Sequence, residues 1–142
     1  MKQSVSFLTL GVRDVRAAVA FYRDGLGWTP TFDQEGEVAF FQVAPGVLLA
    51  VWGTAELSAD AGIDIAQAPG AFALAHNVGS ADEVRAVVER WRAAGGTVLK
   101  EPSHQPLFDG TSAYVADLDG YRWEIAHNPG WRVEDDGTVT LG

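Results

Sequence analysis

One of the side chains that could do chemistry in this sequence stands in an unusual place. The stretch DLDGYRWEIAHNPGW, residues 117–131, carries Glu124 inside a run that is otherwise aromatic and aliphatic. A charge in such a strand needs a partner or a function, because burying it unpaired is costly. Glu124 is therefore a candidate metal ligand, general base or ligand-binding carboxylate, and a satisfied structural group is the remaining alternative.

The histidines are the other candidates for proton transfer. His104 lies in KEPSHQPLFDG, where the chain could bring it to the same cleft as Glu124, and the two could then form an acid/base pair. An exposed histidine beside two prolines is the alternative. His76 alternates with Ala75 and Asn77, which predicts that it packs towards a helix.

Composition excludes several functional classes. The chain has 142 residues, a formal net charge of −9 and no cysteine. Without a basic surface it is not expected to bind nucleic acid or an anionic membrane. Without cysteine it has no disulfide, catalytic thiolate or Cys-ligated zinc. No apolar run is long enough to predict a signal peptide or a membrane span, and we expect a cytoplasmic protein.

The sequence contains an internal repeat, which predicts its architecture. VRAAVAFYRDGLG, residues 15–27, parallels VRAVVERWRAAGG, residues 84–96. FLTLGV parallels ALAHNV before these segments, and AFFQVAPGVLLAVW parallels AYVADLDGYRWEIA after them. Three matched blocks in the same order indicate a duplication.

Each copy reads as a strand, a helix and three strands. Val15, Ala18, Val19 and Tyr22 have the spacing of one apolar helical stripe, and the stripe of the second copy includes Trp91. Asp14 predicts the first helix N-cap, and Ser80 with Glu83 predicts a capping box for the second. We predict an α+β fold of two tandem βαβββ modules, forming a curved mixed sheet around a cleft with the helices on the outer face.

Three stretches carry a family resemblance: FLTLGVRDVRAAVAFYRDGLGW, RWRAAGGTVLKEP and AYVADLDGYRWEIAHNP. Together they resemble the vicinal oxygen chelate superfamily, the glyoxalase, bleomycin-resistance and extradiol-dioxygenase group. The resemblance implies one domain over residues 1–142. It comprises module one at about 4–53, a linker at about 54–70, module two at about 71–128 and a tail at 129–142. It also implies a homodimer as one option.

Metal-binding relatives in this superfamily take four ligands from four positions, and the resemblance carries these to Phe7, Ala50, Ala73 and Glu124. Only Glu124 is of a ligand type. One carboxylate is too few for zinc, magnesium or calcium, so we expect no metal and no other cofactor.

Strand alternation and duplication predict a cleft face that is mostly apolar, with small residues at former ligand positions. Arg122 lies two residues from Glu124 on that face and could pair with it. The predicted ligand-binding residues are Phe7, Thr9, Ala50, Trp52, Ala73, Ala75, Asn77, Arg122 and Glu124.

Three functional interpretations remain open. The first is a protein like the bleomycin-resistance type that binds a small cationic or aromatic metabolite or antibiotic. The alternative is a metal-independent isomerase, cyclase or lyase with Glu124 as general base and His104 in support. A metal-dependent lactoylglutathione lyase or dioxygenase is the third reading, and the incomplete ligand set disfavours it.

Overall fold

The computed structural model describes residues 1–65 and 70–142, and the chain divides into two units. The first comprises Met1–Ala71 with Leu118–Tyr121, and the second comprises Phe72–Asp117 with Arg122–Gly142. Residues 66–69 of the predicted linker lie outside the described residues.

The first unit is built on a four-stranded mixed sheet in the order β1-β4-β3-β2. Strands β1 and β4 are parallel, and the other neighbours are antiparallel. A π-helical turn, Phe21–Gly25, continues the first helix. The elements are β1 (Phe7–Val12), α1 (Val15–Ala20), β2 (Phe32–Gln34), β3 (Val38–Ala44), β4 (Val47–Gly53) and α2 (Thr54–Ala61).

The second unit repeats this arrangement, as the sequence duplication predicts. Its sheet has the order β5-β8-β7-β6, again with the first and last strands of the module parallel. A separate two-stranded hairpin follows. The elements are β5 (Leu74–Asn77), α3 (Ala81–Ala93), β6 (Thr97–Gln105), β7 (Gly110–Ala116), β8 (Arg122–His127), β9 (Trp131–Val133) and β10 (Val139–Leu141).

Each helix buries its predicted stripe against its own sheet. Val15, Ala18 and Val19 are buried in α1, and Tyr22 is fully buried just beyond it. In α3, the ring centroid of Trp91 lies 5.9 Å from that of Trp123 of β8, and the two rings are tilted to each other. The indole Nε1 of Trp91 also donates a hydrogen bond of 2.7 Å to the carbonyl oxygen of Ala116.

The predicted helix caps are confirmed. The Asp14 carboxylate accepts a hydrogen bond from the backbone N–H of Ala17 at 3.0 Å. Ser80 Oγ accepts one from the Glu83 N–H at 3.2 Å, and the Glu83 carboxylate accepts one from the Gly79 N–H at 3.1 Å. These bonds satisfy N–H groups that have no partner inside the helix, and they fix where each helix begins.

The α+β fold with two four-stranded mixed sheets is confirmed, and two elements are additional. Helix α2 lies in the segment predicted as a linker, and the hairpin β9–β10 lies in the predicted tail. Helix α2 buries none of its residues, so no apolar stripe marked it in the sequence. In the described part of the chain, no helix is long and apolar enough to cross a membrane.

Candidate functional site

Glu124 lies on the face of the second sheet opposite α3. Its neighbour Trp123 points to α3, where it contacts Trp91, and side chains alternate along a strand. Glu124 pairs in register with Ala75 of β5 and with Tyr114 of β7. Tyr114 pairs in turn with Lys100 of β6. Ala75, Glu124, Tyr114 and Lys100 therefore form one row across the sheet, which we call the second-sheet row.

A cavity of about 380 Å³ opens beside Glu124. It is small, but it lies within the range of pockets that hold small molecules. Two aromatic rings, two amides and one carboxylate contribute to its wall. Its lining residues are Ala75, His76, Asn77, Phe108, Glu124, Ala126, Asn128 and Trp131.

The Glu124 carboxylate is half-buried and makes no ion pair or hydrogen bond with any described residue. Among the described residues, no ion pair joins Glu124 to Arg122, although the two residues lie on the same strand face. A carboxylate in a partly buried position without a protein partner can bind a cation or a hydrogen-bond donor from a ligand.

Tyr114 was not among the residues predicted from the sequence, because it lies on β7, the third strand of its module, and the resemblance implies ligands on the first and last strands. Its side chain is half-buried. Burial raises the pKa of its phenol, and the negative charge of Glu124 raises this pKa further. Tyr114 therefore keeps its hydroxyl hydrogen at neutral pH and can donate a hydrogen bond beside the carboxylate.

The first sheet has an equivalent row without this chemistry. Thr9 pairs with Ala50, Ala50 with Phe40, and Phe40 with Phe32. The Phe32 and Phe40 rings stack at 5.3 Å, and Phe7 meets Phe40 edge-on at 5.3 Å. We call Thr9, Ala50, Phe40 and Phe32 the first-sheet row.

Two of the positions implied by the resemblance, Phe7 and Ala73, lie two residues before the residues that pair with Ala50 and Glu124. Thr9 lies opposite Ala50, and Ala75 lies opposite Glu124. Phe7 pairs instead with Leu48, and Ala73 precedes β5. A shift of two residues preserves the face of a strand, so alternation in the sequence cannot detect it. Trp52 keeps the predicted face and pairs with Gly11 and Val38.

His104 is not brought together with Glu124. It pairs with Thr111, which pairs with His127, so His104 lies on the sheet face that carries α3. Its side chain is 62% exposed, and its Nε2 lies 3.8 Å from Asp109 Oδ1. Register shifts within β6 change the alternation between Val98 and Ser103, which defeats a simple parity argument.

His76 departs from its predicted core position. It is exposed and lines the cavity. Helix α3 packs on β6, β7 and β8, whereas β5 is the edge strand beyond them. A side chain on that edge can face the helix side of the sheet and still lie in solvent. Its neighbours Ala75 and Asn77, predicted as ligand-binding residues, line the same cavity.

A larger cavity, of about 500 Å³, lies in the first unit near Arg16 and Arg23. These arginines already have carboxylate partners. Arg23 bonds Asp24 at 2.8 Å, and Arg16 Nε lies 3.4 Å from Glu35 Oε1. Because its cations are paired and its walls are exposed, this cavity offers no free charge to a ligand. The smaller cavity beside Glu124 is the better candidate site.

The fold and the row positions define a class of protein. A model of the Glyoxalase/Bleomycin resistance protein/Dioxygenase superfamily matches residues 4–125. The chain therefore belongs to this superfamily. No curated protein matches it.

Solved structures agree with this assignment. A glyoxalase-related enzyme from Fulvimarina pelagi is 42% identical, with a TM-score of 0.90 over 99% of both chains. A glyoxalase/bleomycin resistance protein/dioxygenase from Nocardioides is 26% identical, with a TM-score of 0.71 over 100% of this chain and 91% of the other. A lactoylglutathione lyase from Agrobacterium tumefaciens shares the fold at 24% identity and a TM-score of 0.66, over 89% of this chain and 94% of the other.

The residues at the row positions do not fit the divalent metal that this superfamily implies. Of the residues in the two rows only Glu124 offers a carboxylate, and the other positions implied by the resemblance hold Phe7, Ala50 and Ala73. Among the described residues, no three His, Asp or Glu side chains form a group that could hold a metal ion. One carboxylate and one hydroxyl are a poor donor set for zinc or magnesium.

Proposed function

We propose that this chain is a small-molecule binding protein whose ligand carries a positive charge next to an aromatic or apolar group. The observation that carries this proposal is the Glu124 carboxylate, which lines the cavity and has no hydrogen-bond or ion-pair partner among residues 1–65 and 70–142. A cationic ligand would supply the missing partner.

The rest of the cavity suits the same ligand. Phe108 and Trp131 provide aromatic surface, and a cation beside an aromatic face gains further stabilisation. Asn77 and Asn128 supply amide groups that could orient the ligand. The net charge of −9 favours the approach of cations over anions.

Three molecules of matched size test the proposal: phenethylammonium, 2-phenylethanol and phenylacetate. They share a phenyl ring and differ in charge. We expect the cation to bind most tightly and phenylacetate least, as measured by shifts in amide NMR spectra during titration. Hydrogen bonds to charged groups contribute about 1.5–3 kcal/mol, so Glu124→Gln should weaken cation binding about tenfold or more.

Glu89→Gln is the matched control. It removes the same charge from the exposed face of α3, where Glu89 pairs with Arg92. If binding depends on Glu124 itself, Glu89→Gln leaves the preference for the cation in place. Equal loss in both variants, or no preference among the three probes, would contradict the proposal.

The alternative, a metal-independent isomerase, cyclase or lyase, is favoured by the same free carboxylate. A general base must reach the proton that it removes, and no described residue forms a hydrogen bond that would hold the Glu124 carboxylate in place. Exchange of a bound ligand's C–H hydrogen for solvent deuterium, lost in Glu124→Gln, would establish this activity. Cytoplasmic location and a homodimer remain predictions, and light scattering would test the dimer.

A further inference from the structure

The two sheets differ where their topology is the same. Ala50 and Glu124 occupy equivalent places, and so do Phe40 and Tyr114, because each pair adjoins in register on the third and fourth strands of its module. In the first sheet, alanine lies beside phenylalanine. In the second sheet, carboxylate lies beside phenol. The hydroxyl is thus present only where the carboxylate is present.

Packing alone does not explain the hydroxyl of Tyr114. Phe40 shows that the fold accepts a plain phenyl ring at this place in the ladder. The Tyr114 hydroxyl makes no hydrogen bond with any residue in the described ranges 1–65 and 70–142. Tyrosine hydroxyls that are partly withdrawn from water usually have a hydrogen-bond partner.

Tyr114 is outside the cavity lining, but it pairs directly with Glu124, which lines the cavity. Directly paired residues on antiparallel strands have Cβ atoms about 4.5–5.5 Å apart. The phenol reaches further from the sheet than the carboxylate, so the two groups meet different atoms of a ligand. They also differ in chemistry, because Glu124 only accepts hydrogen bonds when ionised, whereas Tyr114 can donate one.

We propose that Tyr114 is a second ligand-binding residue of this site, donating its hydroxyl hydrogen to an acceptor of the molecule whose cation Glu124 binds. The ligand class is an ammonium compound with a carbonyl or hydroxyl oxygen near the charged nitrogen. This inference rests on the proposed function, because it takes binding of a cation at Glu124 as its starting point. The raised pKa of Tyr114 supports it, since the phenol remains protonated beside the carboxylate.

Three probes separate the two contacts. Phenylalaninamide has the ring, the ammonium and a carbonyl oxygen, phenethylammonium lacks the carbonyl, and 3-phenylpropanamide lacks the ammonium. We expect wild-type protein to bind phenylalaninamide about fivefold more tightly than phenethylammonium, the range of one neutral hydrogen bond. Tyr114→Phe should remove this advantage and leave the affinity for phenethylammonium unchanged.

Tyr121→Phe is the control for loss of a hydroxyl elsewhere. The Tyr121 hydroxyl donates to the Gly11 carbonyl oxygen at 2.9 Å, so this variant changes stability and should not change the probe preference. The wild-type comparison of the probes examines the same contact without a substitution, should Tyr114→Phe fold poorly.

Each result decides between the two proposals. Loss of affinity for both ammonium probes in Glu124→Gln supports the proposed function. If Tyr114→Phe then weakens binding of the two probes equally, or does not weaken it, the role of Tyr114 is overturned and the function stands. If the wild-type protein binds phenethylammonium as tightly as phenylalaninamide, the role is likewise overturned. If no probe binds in a way that depends on Glu124, the proposed function fails, and this inference fails with it.

Discussion

Ser112 provides a sharp test of the structure, because its hydroxyl is buried without a partner. Its side chain is 0% exposed, and its Oγ has no hydrogen bond to any described residue. It lies on the Glu124 face of β7, between Ala126 of β8 and Ser103 of β6. Replacing it with alanine removes one oxygen and almost no volume.

We expect Ser112→Ala to stabilise the protein. A buried hydroxyl without a partner costs about 1–3 kcal/mol, and loss of the packing of one oxygen offsets part of this. The free energy of unfolding should therefore rise by about 1 kcal/mol. For a chain of this size, such a change raises Tm by about 3 °C.

Thermal and urea unfolding, followed by circular dichroism, would measure both quantities. Ser80→Ala is the matched control, because Ser80 Oγ accepts the Glu83 N–H at the start of α3. Loss of this cap should lower the free energy of unfolding by about 1 kcal/mol. The same substitution is thus expected to act in opposite directions. If Ser112→Ala lowers Tm as Ser80→Ala does, the Ser112 hydroxyl has a partner in solution and the reasoning is refuted.

Two further predictions concern the same sheet. The pKa of the Tyr114 phenol is raised by burial and by the charge of Glu124, and Lys100 is its other neighbour in the row. The phenol therefore favours the folded state below its unfolded pKa, and this contribution to stability is lost as the pH rises through the folded pKa. Ultraviolet titration should show a lower pKa for Tyr114 in Glu124→Gln, and an unchanged pKa would contradict the coupling. Gly110→Ala should lower Tm by several degrees, because the added Cβ would collide with the backbone carbonyl oxygen of His127 in β8. Gly142→Ala, whose Cβ would meet no described atom within 4 Å, should leave Tm unchanged.

Much of the fold could be predicted because the same pattern of strands and helix occurs in both copies of the duplicated sequence. The helix stripe that ends in Trp91 and the caps at Asp14 and Ser80 each carry a local signal, and the structure confirms them. Helix α2 carried no such signal, since Thr54–Ala61 has no buried side and reads like a polar linker.

The site was predictable only in part, for physical reasons. Alternation assigned Ala75, Asn77 and Glu124 to one face, and all three line the cavity. Phe108 and Trp131 reach the cavity from a turn and from the tail hairpin, where no periodicity relates sequence to position. Tyr114 became noticeable only when the register of β7 against β8 was known.

The matched rows of the two sheets show that one ladder accepts very different side chains. The backbone pairing is the same whether a row holds phenylalanine and alanine or tyrosine and glutamate. A duplicated chain can therefore keep one half as a scaffold while the other half acquires polar groups. Phe40→Tyr together with Ala50→Glu would place the same pair in the first sheet, which makes the duplication a route for moving a binding site within one molecule.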